Sequence, residues 1–409
     1  MLNWRKFLPT GDQLIETDRF VPSEGLNTSV RPEQILAMGN RAQVHLSSIR
    51  DELLKPHPRK TPPILKSSHI ASLLGIERKR IDYLVAQKDS KYPQGHKNDT
   101  RIRYFSVQDA MEFFRLVRNP PTRPEGSPGA VVTFGIFKGG VAKTTTAVSM
   151  AQALTLRGLN VLLIDLDPQG SATQIMGYAP DAEIEINDTA APIFCMHDDP
   201  EYRPSLLPSI AETYWPNLDL IAANSRLFGA EYDITINIKK VPGFKFWNVL
   251  NTALDEVRQI YDVVIIDTPP SLSYTTLNAL FASNGIIAPV PPSALDFASS
   301  TQFWAMLGEV LAGMDDEKTF DFVNIVLTKV RTGHPVTAIL TQWISDAYSG
   351  YVLPIQIPDS RAIDNATTAF NTIYDITTPD GTMESYLKVK EPMDQLATYL
   401  YQQVTKGWK

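Results

Sequence analysis

The stretch FKGGVAKTTT, residues 137–146, combines two glycines, two lysines and a run of hydroxyl side chains. A glycine turn that leads into a helix aims several backbone N–H groups at one point, and this arrangement binds phosphate. Lys143 would contact the β- and γ-phosphates of a nucleotide, and the Thr144 hydroxyl would ligate Mg²⁺. The general pattern GxxxxGK[ST] is not met, because Phe137 and Ala142 occupy its two glycine positions. The sequence therefore predicts a phosphate-binding loop of unusual form with one lysine in excess.

Three aspartates end apolar runs that would form parallel strands. Asp165 and Asp167 follow the run VLLI, and Asp267 follows VVII. Open parallel sheets gather their ligands at the carboxyl edge, so these carboxylates should face the bound phosphates. Mg²⁺ binds through a few protein oxygens together with phosphate oxygens. The sequence thus predicts that the loop and the carboxylates share one metal ion.

The order of these motifs resembles that of the ParA/MinD ATPases over roughly residues 130–400. KGGVAKT resembles the deviant Walker A loop, DLDPQG the Walker A′ segment and DTPPS the Walker B segment. By this resemblance, Lys138 crosses a two-fold interface to the partner subunit's nucleotide, and Asp167 positions the attacking water. Mg²⁺ is assigned to Thr144, Asp165 and Asp267. Contacts to ATP or ADP are assigned to Lys138, Gly139, Gly140, Val141, Ala142, Lys143, Thr144, Thr145, Pro358 and Asp359.

Ala142 departs from the glycine that is usual in the loop of this family. If the position requires a positive φ, the methyl group strains the turn.

Seven short apolar runs alternate with amphipathic stretches after the loop region begins. They are AVVTFGIF, NVLLIDLD, LDLIAAN, YDVVIID, GIIAPVP, FVNIVLT and YVLPIQIP. Continuous runs rich in Val and Ile are typical of strands buried on both faces of a sheet. Stretches such as TTTAVSMAQALTLRG and FKFWNVLNTALDEVRQ predict helices in right-handed crossovers between them. The predicted fold class is α/β, a mostly parallel twisted sheet flanked by helices.

A basic segment from Arg41 to Arg118 holds 16 lysines and arginines against 8 aspartates and glutamates. Within it, residues 67–87 have the pattern of two helices joined by a turn at Gly75, which is typical of a helix-turn-helix. The next segment, YPQGHKNDTRIRYF, predicts two strands with a polar tip that form a wing. Such a domain binds DNA phosphates through its cations. The predicted DNA contacts are Ser68, Arg78, Lys79, Arg80, Lys97, Arg101 and Arg103, with Lys79 and Arg80 as candidates for base contacts.

Composition separates three parts of the chain, a front part, a linker and a large part. The proline-rich stretch NPPTRPEGSPGA favours neither helix nor inner strand and predicts a linker at 119–129. A helix over 31–54 carries an apolar stripe that either pairs with a second copy or packs within its own monomer. The predicted domains are an N-terminal helical dimerisation region (1–55), a mainly helical winged helix-turn-helix domain (56–118), the linker and a ParA-type ATPase domain (130–409).

The composition also excludes some classes of function. The one cysteine, Cys195, cannot form an internal disulfide or hold an iron–sulfur cluster. No apolar run approaches the length of a membrane span, and the first residues lack a signal-peptide core. The final segment ATYLYQQVTKGWK has too few cations and too short an apolar arc for an amphipathic membrane anchor. We therefore expect a soluble cytoplasmic protein with no membrane partner.

The whole architecture resembles the larger ParA proteins of low-copy plasmids and prophages. The resemblance implies a nucleoid-associated partition ATPase that forms a homodimer with Mg-ATP, binds non-specific DNA and responds to a ParB-type partner. It also implies repression of its own operon through the winged helix-turn-helix. Hydrolysis without partner and DNA should be slow. Lys329, Arg331 and Arg361 are candidates for non-specific DNA contact at the dimer rim, and the alternative hypothesis is a nucleotide-switched transcriptional repressor without a motor role.

Overall fold

The computed structural model describes residues 30–54, 59–87, 90–98, 102–314, 318–378 and 382–408. The chain divides into two compact units, Met1–Lys60 and Thr61–Lys409. In the first unit, helix α1 (Pro32–Leu54) exposes apolar side chains such as Leu36 and Val44. Its role in pairing two copies stays a prediction.

The second unit begins with a small helical domain. Gly75 ends the first helix of a tight pair in the left-handed conformation, with φ 58°. A β-hairpin follows the pair, and Ser106 caps the next helix by accepting a hydrogen bond from the Asp109 N–H at 3.0 Å. The elements are β1 (Leu65–Lys66), α2 (Ser67–Leu74), α3 (Arg78–Ala86), β2 (His96–Lys97), β3 (Arg103–Phe105) and α4 (Val107–Arg118). The antiparallel sheet has the order β1-β3-β2.

An eight-stranded sheet forms the centre of the remaining chain. Its strands are β4 (Ala130–Phe134), β5 (Val161–Asp165), β6 (Ala211–Glu212), β7 (Leu218–Ile221), β8 (Val263–Asp267), β9 (Gly285–Val290), β10 (Phe322–Val330) and β11 (Val352–Pro358). The order is β11-β10-β9-β4-β8-β5-β7-β6, and every pair is parallel except β6 with β7. Each predicted apolar run contains one strand, so the predicted mostly parallel α/β sheet is confirmed. The short antiparallel strand β6 was not predicted.

Helices cover both faces of this sheet and build separate apolar cores on them. They are α5 (Lys143–Thr155), α6 (Ser171–Ile175), α7 (Pro180–Glu183), α8 (Phe228–Lys240), α9 (Val249–Ala253), α10 (Val257–Ile260), α11 (Tyr274–Ala282), α12 (Ala294–Ala312), α13 (Pro335–Ala347), α14 (Arg361–Thr368) and α15 (Met383–Val404). No helix among the described residues is long and apolar enough to cross a bilayer.

One predicted helix is wrong in detail, because FKFWNVLNTALDEVRQ forms the two short helices α9 and α10. Two side chains take carbonyl groups that a continuous helix would use. Asn278 Nδ2 donates to the Phe246 carbonyl at 2.6 Å, and Arg258 Nη1 donates to the Asn251 carbonyl at 2.9 Å. Side-chain hydrogen bonds to the backbone compete with helical ones in this way.

The small domain packs directly on the sheet domain through one continuous core. The Phe114 ring meets the Tyr401 ring of α15 edge-on at 6.0 Å, and Arg115 Nη2 donates to the Gly158 carbonyl at 3.4 Å, just beyond α5. The segment 119–129 is also anchored. Arg123 donates to the carbonyl groups of residues 258, 259 and 261 at 2.6–2.8 Å and forms an ion pair with Asp262 at 3.4 Å.

Candidate nucleotide-binding site

The predicted phosphate loop joins the buried strand β4 to helix α5 at the carboxyl edge of the sheet. Gly140 and Ala142 both have left-handed backbones, with φ 75° and 67°. Glycine adopts this conformation without a penalty, whereas the Cβ of alanine makes it unfavourable. The condition under which Ala142 is strained is therefore met. Thr328, on β10, holds the loop in place because its Oγ1 donates to the Val141 carbonyl at 2.9 Å.

The two lysines of the loop have different surroundings. Lys143 is the first residue of α5 and only 6% exposed, and its Nζ donates to the Ile136 carbonyl at 3.2 Å. Burial lowers the pKa of Lys143, while the carboxylates of Asp267 and Asp167 oppose that shift. Lys138 is partly exposed, and its amine has no hydrogen bond or ion pair within the described part of the chain. Lys143 is thus fixed inside the loop, and Lys138 is available to a group outside it.

Asp165 and Asp267 end the neighbouring strands β5 and β8 in direct register and are fully buried. Asp165 Oδ2 accepts hydrogen bonds from the Thr173 N–H at 2.9 Å and from the Thr173 Oγ1 at 2.8 Å. Neither oxygen of Asp267 has a hydrogen-bond partner of ordinary geometry among the described residues. The Thr144 hydroxyl is nevertheless close enough to lower the pKa of Asp267.

The electrostatics of these carboxylates favour a cation. Burial raises the pKa of Asp165, and the neighbouring Asp267 raises it further. Burial also raises the pKa of Asp267, and Lys143 opposes the rise. Both pKa values stay raised despite the hydrogen bonds to Asp165 and the charge of Lys143, so two ionised carboxylates side by side in the interior need a further positive charge. Hard oxygen donors beside a phosphate loop fit Mg²⁺.

A cleft of about 550 Å³ opens in front of the loop. The predicted residues that line it are Lys138, Gly139, Gly140, Ala142, Lys143, Thr144, Thr145 and Asp167. Val141 instead turns into the core, and Pro358 and Asp359 lie outside the lining, with Asp359 paired to Arg331 Nε at 2.9 Å. Residues that sequence reasoning missed complete the lining: Ser171, Ile175, Pro270, Ile363, Asp364, Thr367 and Thr368. Four of these residues belong to α14, and the sequence indicated them only through the amphipathic pattern that directly follows the last predicted strand.

The predicted DNA-binding residues that the structure describes are distributed over four places. A concave surface between α2, α3 and the hairpin encloses about 510 Å³. It is lined by Ser68, Arg78, Lys97 and Arg103, together with Lys66 and Asp82. Lys79 and Arg80 are exposed on α3, and the Arg80 guanidinium lies 5.4 Å from the centre of the Tyr83 ring. Arg101 lies outside the described residues. Arg331 and Arg361 are exposed near the end of β11, whereas Lys329 lines the nucleotide cleft.

Comparison with known proteins identifies related sequences. The AAA_31 family model, described as AAA domain, matches residues 129–317. The chain is 38% identical over 236 residues to the sporulation initiation inhibitor protein Soj of Bacillus subtilis. This match covers 57% of the chain and 87% of Soj. It is 28% identical over 285 residues to plasmid partition protein A of Escherichia coli, covering 66% and 69% of the two chains. It is also 28% identical over 389 residues to a putative replication protein A of Sinorhizobium fredii, covering 91% and 94%.

Solved structures share the fold. A structure described as a partition protein covers 90% of this chain and 98% of its own, with a TM-score of 0.58 at 18% identity, which shows the fold alone. Cobyrinic acid a,c-diamide synthase from Mycobacterium smegmatis, with ADP and magnesium bound, covers 69% and 97% with a TM-score of 0.51 at 26% identity. The parallel sheet, the phosphate loop after β4 and the carboxylates at the ends of β5 and β8 define the class of P-loop NTPases. Given its similarity to Soj over most of that protein, the chain belongs to the ParA family of partition ATPases.

Proposed function

We propose that the chain binds Mg-ATP and hydrolyses it to ADP and phosphate in the service of DNA partition. The observation that carries the proposal is a cleft lined by a two-lysine phosphate loop and Asp167, with the buried carboxylates Asp165 and Asp267 paired behind it and Asp267 close enough to act on Lys143. The relative named plasmid partition protein A supports the biological role. The synthase structure that holds ADP and magnesium supports the choice of ligands.

In this proposal, Lys143 and the backbone N–H groups of residues 139–145 hold the phosphates. Thr144, Asp165 and Asp267 hold Mg²⁺, which when bound neutralises charge on the β- and γ-phosphates. Asp167 lines the cleft and orients the attacking water, and a hydrogen bond from the Gln169 N–H at 3.0 Å fixes its Oδ1. Lys138 donates to the phosphates in the cleft of a second subunit. Turnover then requires the homodimer.

The remaining parts of the proposal concern DNA and partners. The ATP-bound homodimer binds non-specific DNA, in which Arg331 and Arg361 take part, and a ParB-type centromere-binding protein stimulates hydrolysis. The concave basic surface that holds Arg78, Lys97 and Arg103 binds the operator. A cytoplasmic, nucleoid-associated location follows from these roles.

The second candidate is a repressor in which nucleotide acts only as a switch. One observation favours it: the small domain contacts the chain just beyond the phosphate-loop helix α5, where Arg115 donates to the carbonyl group of Gly158. Nucleotide binding at the first residues of α5 would then alter the DNA-binding surface of the small domain, and hydrolysis would not be needed.

The test is nucleotide binding and steady-state ATP hydrolysis by the full chain, with and without random DNA. Lys143→Ala should abolish nucleotide binding, because it removes the buried cation of the loop. Lys138→Ala and Asp167→Ala should bind nucleotide normally and lose turnover. Lys406→Ala, an exposed lysine at the end of α15, is the matched control and should behave as the wild type.

Two results would contradict parts of the proposal. Normal hydrolysis by Lys138→Ala would exclude the role of this lysine in a neighbouring cleft. DNA binding measured with ATP, ADP and no nucleotide separates the two candidates. Turnover that DNA does not raise, combined with nucleotide-dependent binding of upstream DNA alone, would favour the repressor.

A further inference from the structure

Lys329 has a backbone conformation that is unusual for a strand. Its φ is 51°, in the left-handed region, and the register of β10 against β11 shifts between Leu327 and Val330. A non-glycine residue pays about 1 kcal/mol or more for this conformation, and such strain is concentrated at ligand sites. The preceding residue, Thr328, holds the phosphate loop. The shift in register therefore brings Lys329 to the wall of the nucleotide cleft.

Helix α14 forms another wall of the same cleft. Ser360 caps this helix by accepting a hydrogen bond from the Ala362 N–H at 3.2 Å, and Ile363, Asp364 and Thr367 line the cleft. Lys329 and Asp364 are both exposed, and neither side chain has an ion-pair partner within the ranges that the structure describes. The cleft thus carries one cation and one carboxylate that the phosphate and metal chemistry leaves unused.

The order of strands shows which end of a nucleotide these residues face. Asp267 and Asp165 follow β8 and β5, on one side of β4, so the metal ion and the γ-phosphate lie on that side. Strands β10 and β11 lie on the opposite side, beyond β9, and α14 follows β11. A nucleotide whose phosphates bind the loop must therefore extend its base toward Lys329 and Asp364.

We infer that Lys329 and Asp364 read the base and select a 6-aminopurine, an inference that rests on the proposed nucleotide-binding function. The Asp364 carboxylate accepts a hydrogen bond from the 6-amino group of adenine and repels the 6-oxygen of guanine. The Lys329 ammonium donates to a ring nitrogen, and Ile363 packs against the ring face. A site built on hydrogen bonds rejects the wrong ligand strongly, because the polar groups of the site are then left unpaired.

The experiment is calorimetric titration of the full chain with Mg-ATP and with Mg-GTP. We expect the wild type to prefer ATP and Asp364→Asn to reduce that preference about tenfold or more, since one charge-assisted hydrogen bond is replaced. Lys329→Asn should weaken ATP binding about tenfold, and asparagine tolerates the left-handed backbone. Asp346→Asn, an exposed carboxylate on α13, and Lys406→Ala are the matched controls.

The outcomes separate this inference from the proposed function. If Asp364→Asn binds ATP and GTP in the same ratio as the wild type, base reading by this pair is wrong while nucleotide binding stands. A changed ratio in Asp359→Asn alone would assign the base to the end of β11 and would also overturn the inference. Loss of DNA binding by Lys329→Asn at unchanged ATP affinity would return this lysine to a DNA role. A wild type that binds neither nucleotide would overturn the proposed function itself.

Discussion

A substitution of Asp267 tests the metal site, because it should raise the stability of the nucleotide-free protein and weaken the binding of Mg-nucleotide. The carboxylate is fully buried without a hydrogen-bond partner of ordinary geometry among the described residues, and burial raises its pKa. Asparagine has the size and polarity of the protonated carboxyl group but cannot ionise. We expect Asp267→Asn to stabilise the nucleotide-free protein at pH 8 and to abolish Mg²⁺-dependent stabilisation by nucleotide.

The size and the pH range of the effect follow from the buried charge. A carboxyl group whose pKa is raised on folding contributes stability at low pH, and this stability is lost as pH rises through the pKa of the folded state. A buried polar group without a partner costs about 1–3 kcal/mol, and more when it is charged. Asp267→Asn should therefore raise the free energy of unfolding by about 1–3 kcal/mol at pH 8, and by progressively less as pH falls toward about 4, where the carboxyl group of the wild type is also protonated in the unfolded chain.

Thermal and urea unfolding at the two pH values measures the stability of the nucleotide-free protein. The same measurement with Mg-ADP gives the stabilisation by ligand. A ligand at 100 times its Kd stabilises the folded state by about 2.7 kcal/mol. We expect that gain in the wild type and almost none in Asp267→Asn. Asp346→Asn, which changes an exposed carboxylate on α13, is the matched control and should alter neither the stability nor the gain from ligand. An Asp267→Asn protein that is less stable than the wild type at pH 8 would refute the reasoning.

Two further predictions concern the loop and the linker. Ala142→Gly relieves about 1–2 kcal/mol of left-handed strain and loses about 0.4–1 kcal/mol through a freer unfolded chain, so urea unfolding should show a net gain of roughly 0.5–1 kcal/mol; a loss would mean that the loop relaxes around alanine. Arg123→Ala should lower the free energy of unfolding by about 2–4 kcal/mol, because it removes the hydrogen bonds to three carbonyl groups and a mostly buried ion pair with Asp262. Arg226→Ala, which removes an exposed ion pair with Glu185 at 3.6 Å, should change it by less than about 1 kcal/mol in the same assay.

The sheet and the phosphate end of the site could be predicted because local sequence determines them. Strands buried on both faces need continuous apolar runs, so each run located one strand. The spacing within KGGVAKT assigns Lys143 to the phosphates, and the carboxylates follow because parallel strands end at a common edge. The strain at Ala142 could be stated from the sequence as a condition, and the φ of 67° meets it.

The wall of the cleft formed by Lys329 and α14 could not be predicted in the same way. Lys329 reaches it only because β10 changes register near its end, and no residue pattern in FVNIVLTKV indicates that shift. Asp364 reaches it because α14 begins directly after β11 and lines the cleft. Both positions depend on where distant strands end in space. The sequence predicted Lys329 near the end of a strand, but it did not indicate that this side chain lines the nucleotide cleft.

The anchoring of residues 119–129 was missed for a related reason. Proline-rich composition correctly excludes helix and inner strand, but it does not show which groups a single arginine meets. Arg123 donates to three carbonyl groups at the end of α10, where cations are favoured by the helix dipole, and its ion pair with Asp262 is mostly buried. The small domain is therefore joined to the sheet by a fixed segment.

This fixed connection bears on the choice between motor and repressor. Helix α5 begins at Lys143 beside the phosphates and, after about 20 Å, ends near Gly158, which accepts the hydrogen bond from Arg115 of the small domain. Because packed interiors have low compressibility, a shift of α5 on nucleotide binding would strain this contact with α4. Repression controlled by nucleotide then needs no part beyond those already present in one subunit. Lys138 differs in this respect, since its amine has no hydrogen bond or ion pair with a described group of its own subunit, and the proposed transfer of this cation to a second subunit's cleft is what a motor would add.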